Sequence, residues 1–469
     1  MENNRQNDFD DEDIQLVRDF EKTVLQGGQQ FFDIDELEVI MDYYLETNDL
    51  KPLQRAVEYA EDLYPDSTSV RLRRAHLLIA HGQYKQALRI VRQLRTENSD
   101  DTDVAYSLGV VYGALGEHEK AIGFFHEAAV DGWMLGRIYA NIAEEYYALH
   151  NYDEAIRFCQ LALDTDSYDD ATLYNYLDTA FMADRLDEAA AYLKSFVEEH
   201  PYSNEGWHIL GNAYRYMGRM EQAVDAYEYA NAADSKNYAV YCDQAIAYEL
   251  MDKPGEAVSI LLRARDVAPG RETVYMRIAE IYGRTGDADM AILYLRKALE
   301  ENPDSTSCLA MLAVAYIVIG ESSLALPLLK KARTLAPDDV EVLSAQAVYY
   351  DSVDNFEAAS DCYDRILTSE DCTEAMCQRY VHFLYRHKEY ELLIDFGEES
   401  LGVYPDDPYY CTYLAAAYFH TNRYNRASRV LPHADAWLLH EICPELCNHP
   451  RLGPLVPPLY GDADPSSTV

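Results

Sequence analysis

Cations are scarce in this sequence. Its 469 residues include 39 Lys and Arg against 82 Asp and Glu, a formal net charge of −43 at pH 7. Because neutralising phosphates requires clustered cations, this balance excludes nucleic-acid binding through a general basic surface. It also disfavours binding to anionic lipid headgroups. Long apolar runs are missing as well, since the longest, from Leu309 to Ile319, is far shorter than the roughly 18 to 20 residues that cross a bilayer. We therefore expect neither nucleic-acid binding nor membrane insertion.

Proline, glycine and cysteine are also sparse. The 17 Pro and 21 Gly exclude a collagenous or low-complexity architecture. The nine Cys are an odd number without a framework spacing, which favours free thiols in a reducing compartment. The first residues, MENNRQNDFDDEDIQL, carry acids where a signal peptide has a basic region and an apolar run. These features predict a cytoplasmic location.

Tyrosine and chain length are what the sequence has in excess. There are 40 Tyr against 13 Phe and 3 Trp, and 49% of the residues are hydrophobic, as in a globular protein. A single hydrophobic core stops growing at about 250 to 300 residues. The chain must therefore contain several domains or an array of repeats.

The sequence repeats with a period of 34 residues. The segment from Gly206 aligns with the segment from Val240, and the period runs without a gap from Ile34 through twelve repeats. Position 20 of the repeat is Ala in ten of the twelve, and position 15 is Gly, Asn or Asp in ten. The latter residue types tolerate the left-handed conformation that ends a helix. Position 32 is Pro in six repeats, where it stops a helix.

Each repeat has the pattern of a helical hairpin. In the sixth repeat, one apolar stripe marks a first helix: Trp207, Leu210, Gly211 and Tyr214. A second stripe marks a second helix: Ala223, Tyr227 and Ala230. Small residues at positions 8 and 20 let the two helices approach closely. Tyr fills position 11 in nine repeats, and we interpret it as structural, with its ring between helices and its hydroxyl at a polar edge.

These slots resemble the signature of the tetratricopeptide repeat family. That signature has an aromatic at position 4, Leu then Gly or Ala at 7 and 8, Tyr at 11, Ala at 20 and 27, and Pro at 32. The resemblance covers about 408 of the 469 residues, and departures such as Leu393 and Gly397 in repeat eleven lie near an end, where a repeat has fewer neighbours. It implies an all-α fold, a right-handed α-solenoid (superhelix) of antiparallel helix pairs. The first helices would line a concave groove with positions 2, 5, 6, 9, 12 and 13.

The predicted organisation has three parts. Residues 1–33 form an acidic tail and an N-terminal capping helix, residues 34–441 form the twelve tetratricopeptide-type repeats, and residues 442–469 form a C-terminal cap and a Pro-rich tail. The pattern from Asp13 to Leu25 predicts a helix that covers repeat one, and the first dozen residues are expected to be disordered. Pro432 should break the last repeat's second helix, before a short capping helix AWLLHEI.

Four potential zinc ligands lie within ten residues: His440, Cys443, Cys447 and His449. Structural zinc sites prefer two separated ligand pairs, whereas these pairs interleave, so we interpret them as part of a cap with buried thiols. Three further cysteines show no spacing typical of a redox motif: Cys362, Cys372 and Cys377. No phosphate-binding Gly-rich loop, nucleophile elbow or HExxH occurs. We therefore predict no enzymatic activity, no cofactor and no metal.

The groove slots of repeats four to seven carry the candidate binding residues: Asn141, Glu144, Tyr147, Tyr174, Asn175, Asp178, His208, Asn212 and Asp243, with Glu205 beside them. Asn side chains can hold the backbone of an extended peptide, aromatic rings can pack on its side chains, and carboxylates favour Lys or Arg in it. Farther along, four cations predict a more basic groove: Arg277, Arg284, Arg379 and Arg386. The alternative for any one of these residues is an ordinary solvated helix face.

The sequence thus favours a non-enzymatic scaffold or adaptor that binds a protein or peptide segment, with basic residues favoured, in its groove. At positions 5 and 9, repeats one to three lack the Lys, Arg and Asn with which one subfamily grips C-terminal carboxylates, which argues against that ligand. The alternative function is a structural subunit of a homo- or hetero-oligomeric assembly that uses its ends or its convex face. The partner and the oligomeric state stay open.

Overall fold

The computed structural model describes residues 9, 11–26, 31–98, 100–132, 134–165 and 170–458. Every regular element within these residues is helical, which confirms the prediction of an all-α solenoid of helix pairs. Most of the stretch predicted to be disordered, residues 1–8 and 10, lies outside the described residues, as do residues 459–469 of the Pro-rich tail. No helix in the described part of the chain has both the length and the apolar character to cross a bilayer.

The chain divides into two compact bodies, Met1–Ala247 and Tyr248–Val469. The N-terminal body contains thirteen helices: α1 (Asp11–Gln26), α2 (Ile34–Glu46), α3 (Leu50–Leu63), α4 (Thr68–Ala80), α5 (Tyr84–Glu97), α6 (Thr102–Ala114), α7 (His118–Ala128), α8 (Leu135–Ala148), α9 (Tyr152–Leu163), α10 (Asp170–Met182), α11 (Leu186–Glu199), α12 (Asn204–Tyr216) and α13 (Met220–Ala233). It also contains most of α14 (Tyr238–Leu250), since the body ends at Ala247.

The C-terminal body contains the remaining helices: α15 (Pro254–Ala264), α16 (Arg271–Arg284), α17 (Ala288–Glu301), α18 (Thr306–Val318), α19 (Ser322–Leu335), α20 (Val340–Ser352), α21 (Phe356–Leu367), α22 (Glu374–Arg386), α23 (Tyr390–Val403), α24 (Pro408–His420), α25 (Tyr424–Val430), α26 (Ala436–Ile442) and α27 (Pro444–Cys447). Short 3-10 turns lie at Ala129–Asp131, Leu431–His433 and Gly453–Leu455.

The even-numbered helices from α2 to α24 are the first helices of the repeats. Each begins within one residue of the start that the 34-residue period predicts. The residue before the helix often supplies a side-chain cap for a free amide of the first turn: Asp33, Ser67, Asp101, Ser203, Ser305, Asp339 and Asp407. Such a cap stabilises a helix by about 1 kcal/mol. At these seven helices, the residue before the predicted start therefore stabilises the first turn.

Position 15 has a positive φ in all twelve repeats, at Asn48, Gly82, Gly116, His150, Asp184, Gly218, Asp252, Gly286, Gly320, Asp354, Lys388 and Asn422. This confirms the predicted left-handed conformation at the end of the first helix. It extends to His150 and Lys388, with φ of 58° and 63°, although neither is one of the Gly, Asn or Asp residues on which the prediction rested. The hairpin turn therefore imposes the conformation even where the sequence does not favour it.

A glycine at position 8 lets a ring of the second helix pack against the first. A Cβ added to Gly211 in α12 would lie 2.5 Å from a ring carbon of Tyr227 in α13, so only Gly fits beneath that ring. Repeat eleven reverses the arrangement, because Gly397 in α23 leaves space that the Leu414 side chain fills from α24. Repeat eleven therefore departs from the family signature at Gly397 because the Leu414 side chain of the next helix occupies the space there.

The Tyr residues at position 11 have the predicted structural role where they are buried. Tyr112 receives a hydrogen bond from Arg92 Nη2 at 2.6 Å, and Tyr316 receives one from Arg296 Nε at 3.0 Å. The ring of Tyr418 is buried, and its hydroxyl donates to the Glu398 carboxylate. Each hydroxyl finds a charged partner on an adjacent second helix, so the ring can be buried without an unsatisfied polar atom.

Both ends of the described array carry helices that cover the terminal repeats. Helix α1 packs Val17 and Phe20 into the core around α2, and it begins at Asp11, so the predicted disordered stretch was too long at its end. At the other end α25 stops at Val430, two residues before Pro432. Helix α26 coincides with the predicted AWLLHEI segment.

Candidate functional site

A small cleft in the N-terminal body brings together four of the predicted binding residues. Glu144 and Tyr147 come from α8, and Asn175 and Asp178 come from α10. The cleft has a volume of about 230 Å³, with Cys159 of α9 among its lining residues. We call these four residues the polar cleft. Their convergence follows from the repeat, since the same slots of consecutive first helices lie side by side.

Hydrogen bonding differs among the residues of the polar cleft. Asn175 Nδ2 donates to Glu144 Oε1 at 3.2 Å, whereas the exposed Asp178 carboxylate has no hydrogen-bond or ion-pair partner among the described residues. Tyr147 keeps part of its ring exposed. Burial, reinforced by the charge of Glu144, raises the pKa of Cys159 to about 12, so this thiol is protonated at neutral pH. The cleft therefore offers a free carboxylate, an aromatic face and an amide.

A second group of predicted residues forms a buried network instead of a free surface. His208 of α12 is 3% exposed, and its Nε2 lies 2.7 Å from Asp243 Oδ2 of α14. The Tyr174 hydroxyl lies 3.4 Å from the other ring nitrogen. The structure brings these three residues together, but it leaves the imidazole between helices. A partner can contact this group through the exposed ring of Tyr174.

Asn212 belongs to the same buried network. It is 8% exposed, and its Oδ1 accepts hydrogen bonds from the Tyr227 hydroxyl at 2.7 Å and from Arg215 Nη2 at 3.2 Å. Arg215 in turn lies 3.8 Å from Asp243. Burial raises the pKa of Tyr227, so its hydroxyl keeps the proton that it donates. Substituting Asn212 therefore tests packing and not peptide binding.

Two further groove residues make contacts with neighbouring repeats. Asn141 Nδ2 donates to the Tyr106 hydroxyl at 3.1 Å, one first helix earlier. Glu205 is half-buried at the start of α12, and burial, with the nearby charge of Asp170, raises the pKa of its carboxyl. The Asn141 amide therefore already donates a hydrogen bond within the protein, whereas the Glu205 carboxyl is half-exposed.

A larger cleft lies in the C-terminal body, among α16, α17, α18, α20 and α22. Its volume is about 710 Å³. Most of its wall is apolar, with these side chains prominent: Ala310, Met311, Val314, Val318, Ala345 and Val348. We call it the apolar cleft. One of these lining residues, Val318, is 72% exposed. The charged residues of the lining are Glu280, Glu341 and Arg379.

The sequence interpretation missed the apolar cleft, although a signal for it was present. Positions 5, 6, 9 and 13 of repeat nine are Ala310, Met311, Val314 and Val318, so the slots that should face solvent are apolar there. These residues belong to the apolar run from Leu309 to Ile319, which is too short to cross a bilayer. A helix that is apolar on both sides is normally buried. Where one of its sides is exposed, the apolar patch indicates a surface that another molecule covers.

The four cations predicted to make the groove basic are mostly neutralised. Arg277 Nη2 lies 3.2 Å from Glu249, and Arg284 pairs with the same carboxylate. Arg386 lies 2.7 Å from Asp351. Arg379 differs, because its Nη1 donates to Ser344 Oγ at 2.9 Å and no carboxylate of the described residues pairs with it. Of the four predicted cations, only Arg379, at the apolar cleft, therefore has no carboxylate partner among the described residues.

The four residues of the possible zinc motif do not converge. Cys443 is buried, and its sulfur lies 3.7 Å from His420 Nε2. His449 stacks on Tyr424 with ring centroids 5.1 Å apart, while His440 is exposed. In the described part of the chain, no group of three or more His, Cys, Asp or Glu side chains is arranged to hold a metal ion.

Comparison with known sequences gives matches to repeat proteins. Two sequence models, both described as Tetratricopeptide repeat, match these segments: residues 53–110 and 284–349 for one, and 136–169 and 205–237 for the other. The TPR repeat-containing protein YpiA of Bacillus subtilis (strain 168) is 21% identical over 306 residues, which cover 58% of this chain and 72% of YpiA.

Comparison with solved structures also returns repeat proteins. The APC/C hetero-tetramer Cut9-Hcn1 aligns with a TM-score of 0.39 and 16% identity over 94% of this chain and 92% of that chain. MamA aligns with a TM-score of 0.30 and 26% identity over 36% of this chain and 93% of its own. YrrB, described as a TPR protein with an unusual peptide-binding site, aligns with a TM-score of 0.29 and 18% identity over 38% and 92% of the two chains.

Proposed function

We propose, from the premise that this chain is a tetratricopeptide-repeat protein, that it is a non-enzymatic scaffold that binds an extended segment of another protein on the face of its first helices. Proteins of this family generally mediate protein–protein interactions and assembly, and stacked repeats present extended binding surfaces. The observation that carries the proposal is the polar cleft. Its four residues come from two consecutive repeats and surround a cavity large enough for a side chain.

The chemistry of the polar cleft favours a cationic side chain in the partner. Asp178 is exposed and has no partner among the described residues, Glu144 adds a second carboxylate, and the Tyr147 ring offers a face for a cation. The formal charge of −43 accelerates encounters with basic segments in general. We therefore propose a partner segment with Lys or Arg at the position that enters the cleft.

A peptide-binding measurement with charge-reversed variants tests this proposal. An array of extended peptides that differ only in having Lys, Arg, Glu or Ala at a central position is screened against the full-length protein. We expect the Lys and Arg peptides to bind best, and Asp178→Lys to weaken their binding about tenfold, which corresponds to about 1.4 kcal/mol. Asn175→Ala should weaken it less, because the free carboxylate stays.

Asp225 provides the matched control. It is an exposed carboxylate on α13, a second helix of the same body, so Asp225→Lys changes the net charge equally without touching the polar cleft. Equal losses in Asp178→Lys and Asp225→Lys would mean that net charge alone attracts the peptides. If neither variant alters binding and light scattering shows a stable oligomer, the alternative of a structural subunit becomes the better account.

A further inference from the structure

Cys372 and Cys377 lie side by side at the start of α22. Their Sγ atoms are 3.6 Å apart, although their spacing in sequence matches no redox motif. Cys372 lies in the loop between α21 and α22, and Cys377 lies in the first turn of α22. Both side chains are partly exposed. The start of this helix therefore presents two free thiols in contact with one another.

Backbone hydrogen bonds hold both cysteines in place independently of their sulfurs. The amide of Cys372 donates to the Ser369 carbonyl at 3.3 Å, and the amide of Cys377 donates to the Thr373 carbonyl at 3.2 Å. A disulfide requires the sulfurs to be about 2.05 Å apart. The remaining approach of roughly 1.5 Å is of the size that rotation about the two Cα–Cβ bonds supplies.

We propose that Cys372 and Cys377 are a modification site, a dithiol that low-molecular-weight disulfides oxidise to an intramolecular disulfide. The Cys372 thiolate attacks one sulfur of the oxidant, whose S–S bond breaks and releases a first thiolate. The Cys377 thiolate then attacks Cys372 Sγ, which forms the Cys372–Cys377 bond and releases a second thiolate. The two released thiolates take up the two protons that the cysteines lose, so the oxidant gains two electrons and the dithiol loses two.

The surroundings of the two sulfurs set the order of these steps. Burial, together with the hydrogen bond to Cys372, raises the pKa of Cys377 to about 12. A thiol that keeps its proton at neutral pH is a poor first nucleophile. Cys372 therefore makes the first attack, and Cys377 resolves the mixed disulfide from its position in contact with it.

The bond would act on the wall of the apolar cleft. Met376 and Arg379 line that cleft, and both belong to the first turns of α22, next to Cys377. A disulfide ties the preceding loop to these turns. The oxidation state of the pair should therefore change the local stability of residues 374–379.

Mass spectrometry of the native, full-length protein tests the proposal. After treatment with excess glutathione disulfide at mildly alkaline pH, the protein is digested with trypsin, which gives a peptide from Ile366 to Arg379 that contains these two cysteines and no other. We expect this peptide to be lighter by two hydrogen atoms. The thiol titre of the unfolded protein should fall by two from the nine of the reduced chain.

Single variants separate the two roles. In Cys377→Ser we expect glutathione to remain attached to Cys372, because the resolving thiol is gone, and Cys372→Ser should take up glutathione much more slowly. Cys362→Ser, at a buried cysteine of α21, is the matched control and should form the internal disulfide as the wild type does. Two free thiols in the wild-type peptide, or a glutathione adduct without an internal bond, would overturn the proposal.

Hydrogen exchange of the same samples tests the effect on α22. Amides of residues 374–379 should exchange more slowly in the oxidised wild type than in the reduced wild type, and at equal rates in treated and untreated Cys372→Ser. Equal exchange in oxidised and reduced wild type would show that the disulfide forms without affecting the cleft wall.

Discussion

The Nε2 atom of His208 lies 2.7 Å from a carboxylate oxygen of Asp243, although the two residues are 35 positions apart. Tyr174 reaches the other ring nitrogen at 3.4 Å from the preceding repeat. Both nitrogens of an almost fully buried imidazole therefore have partners on neighbouring first helices. Some side chains at the predicted groove positions therefore bind one another across repeats, whereas others, such as Asp178, face solvent.

Removing the acceptor of this pair should destabilise the protein. Asp243→Ala leaves the buried His208 nitrogen without its partner, and an unsatisfied buried polar group costs about 1 to 3 kcal/mol. We expect a lower urea midpoint by circular dichroism. Asp178→Ala, at an exposed carboxylate without a described partner, should change the stability by less than about 0.5 kcal/mol. Similar midpoints for the two variants would contradict the network.

Gly211 should not tolerate a methyl group. The added Cβ would lie 2.5 Å from the ring of Tyr227, and overpacking of this kind costs about 1 to 3 kcal/mol. Gly123, inside α7, has open space around the same atom, so Gly123→Ala should stabilise its helix by up to about 1 kcal/mol. Thermal unfolding of both variants measures the contrast. Stabilisation by Gly211→Ala would mean that α12 and α13 are farther apart than described.

The left-handed turn residues give a test of backbone strain. Lys388 has a φ of 63°, a conformation that costs an ordinary residue about 1 to 2 kcal/mol. Lys388→Gly should therefore raise the unfolding temperature, by an amount reduced by the greater freedom of Gly in the unfolded chain. Gly320→Ala, at the same repeat position with a φ of 84°, should lower it. The same direction of change in both variants would contradict this account.

His76 should make stability depend on pH. Burial, assisted by the charges of Arg73 and Arg137, lowers the pKa of His76 to about 3, and its Nε2 lies 2.8 Å from Ser107 Oγ. The unfolded state binds a proton near the usual pKa of about 6.5 that the folded state does not bind. Stability from this residue is therefore complete above about pH 6.5 and is lost as the pH falls toward the folded pKa.

A neutral replacement isolates the contribution of His76. The difference in unfolding free energy between the wild type and His76→Gln should decrease with falling pH by at most about 1.4 kcal/mol per pH unit. Urea unfolding at several pH values between about 7 and 4 measures it. A difference that does not vary with pH would show that the folded protein accepts the proton as readily as the unfolded chain.

Groove positions illustrate why the slot alone does not identify a binding residue. Glu144, Asp178 and Asn212 all occupy position 9 of their repeats. The first two are exposed at the polar cleft, whereas Tyr227 and Arg215 hold the third in the interior. The repeat pattern predicts the face of the helix. Whether a residue on that face is buried depends on the size and polarity of the side chains that contact it from other helices.

The period of 34 determined by itself where the helices begin, because capping residues, turn residues and prolines recur at fixed positions in many of the repeats and act locally. It also accounted for nine of the 40 Tyr, which share one position of the repeat. Only the tertiary structure decided which side chains meet, since groove partners such as His208 and Asp243 lie on different helices and their contact depends on how those helices pack. The same applies to the apolar cleft, to the hydrogen bond from Arg379 to Ser344 and to the contact between Cys372 and Cys377.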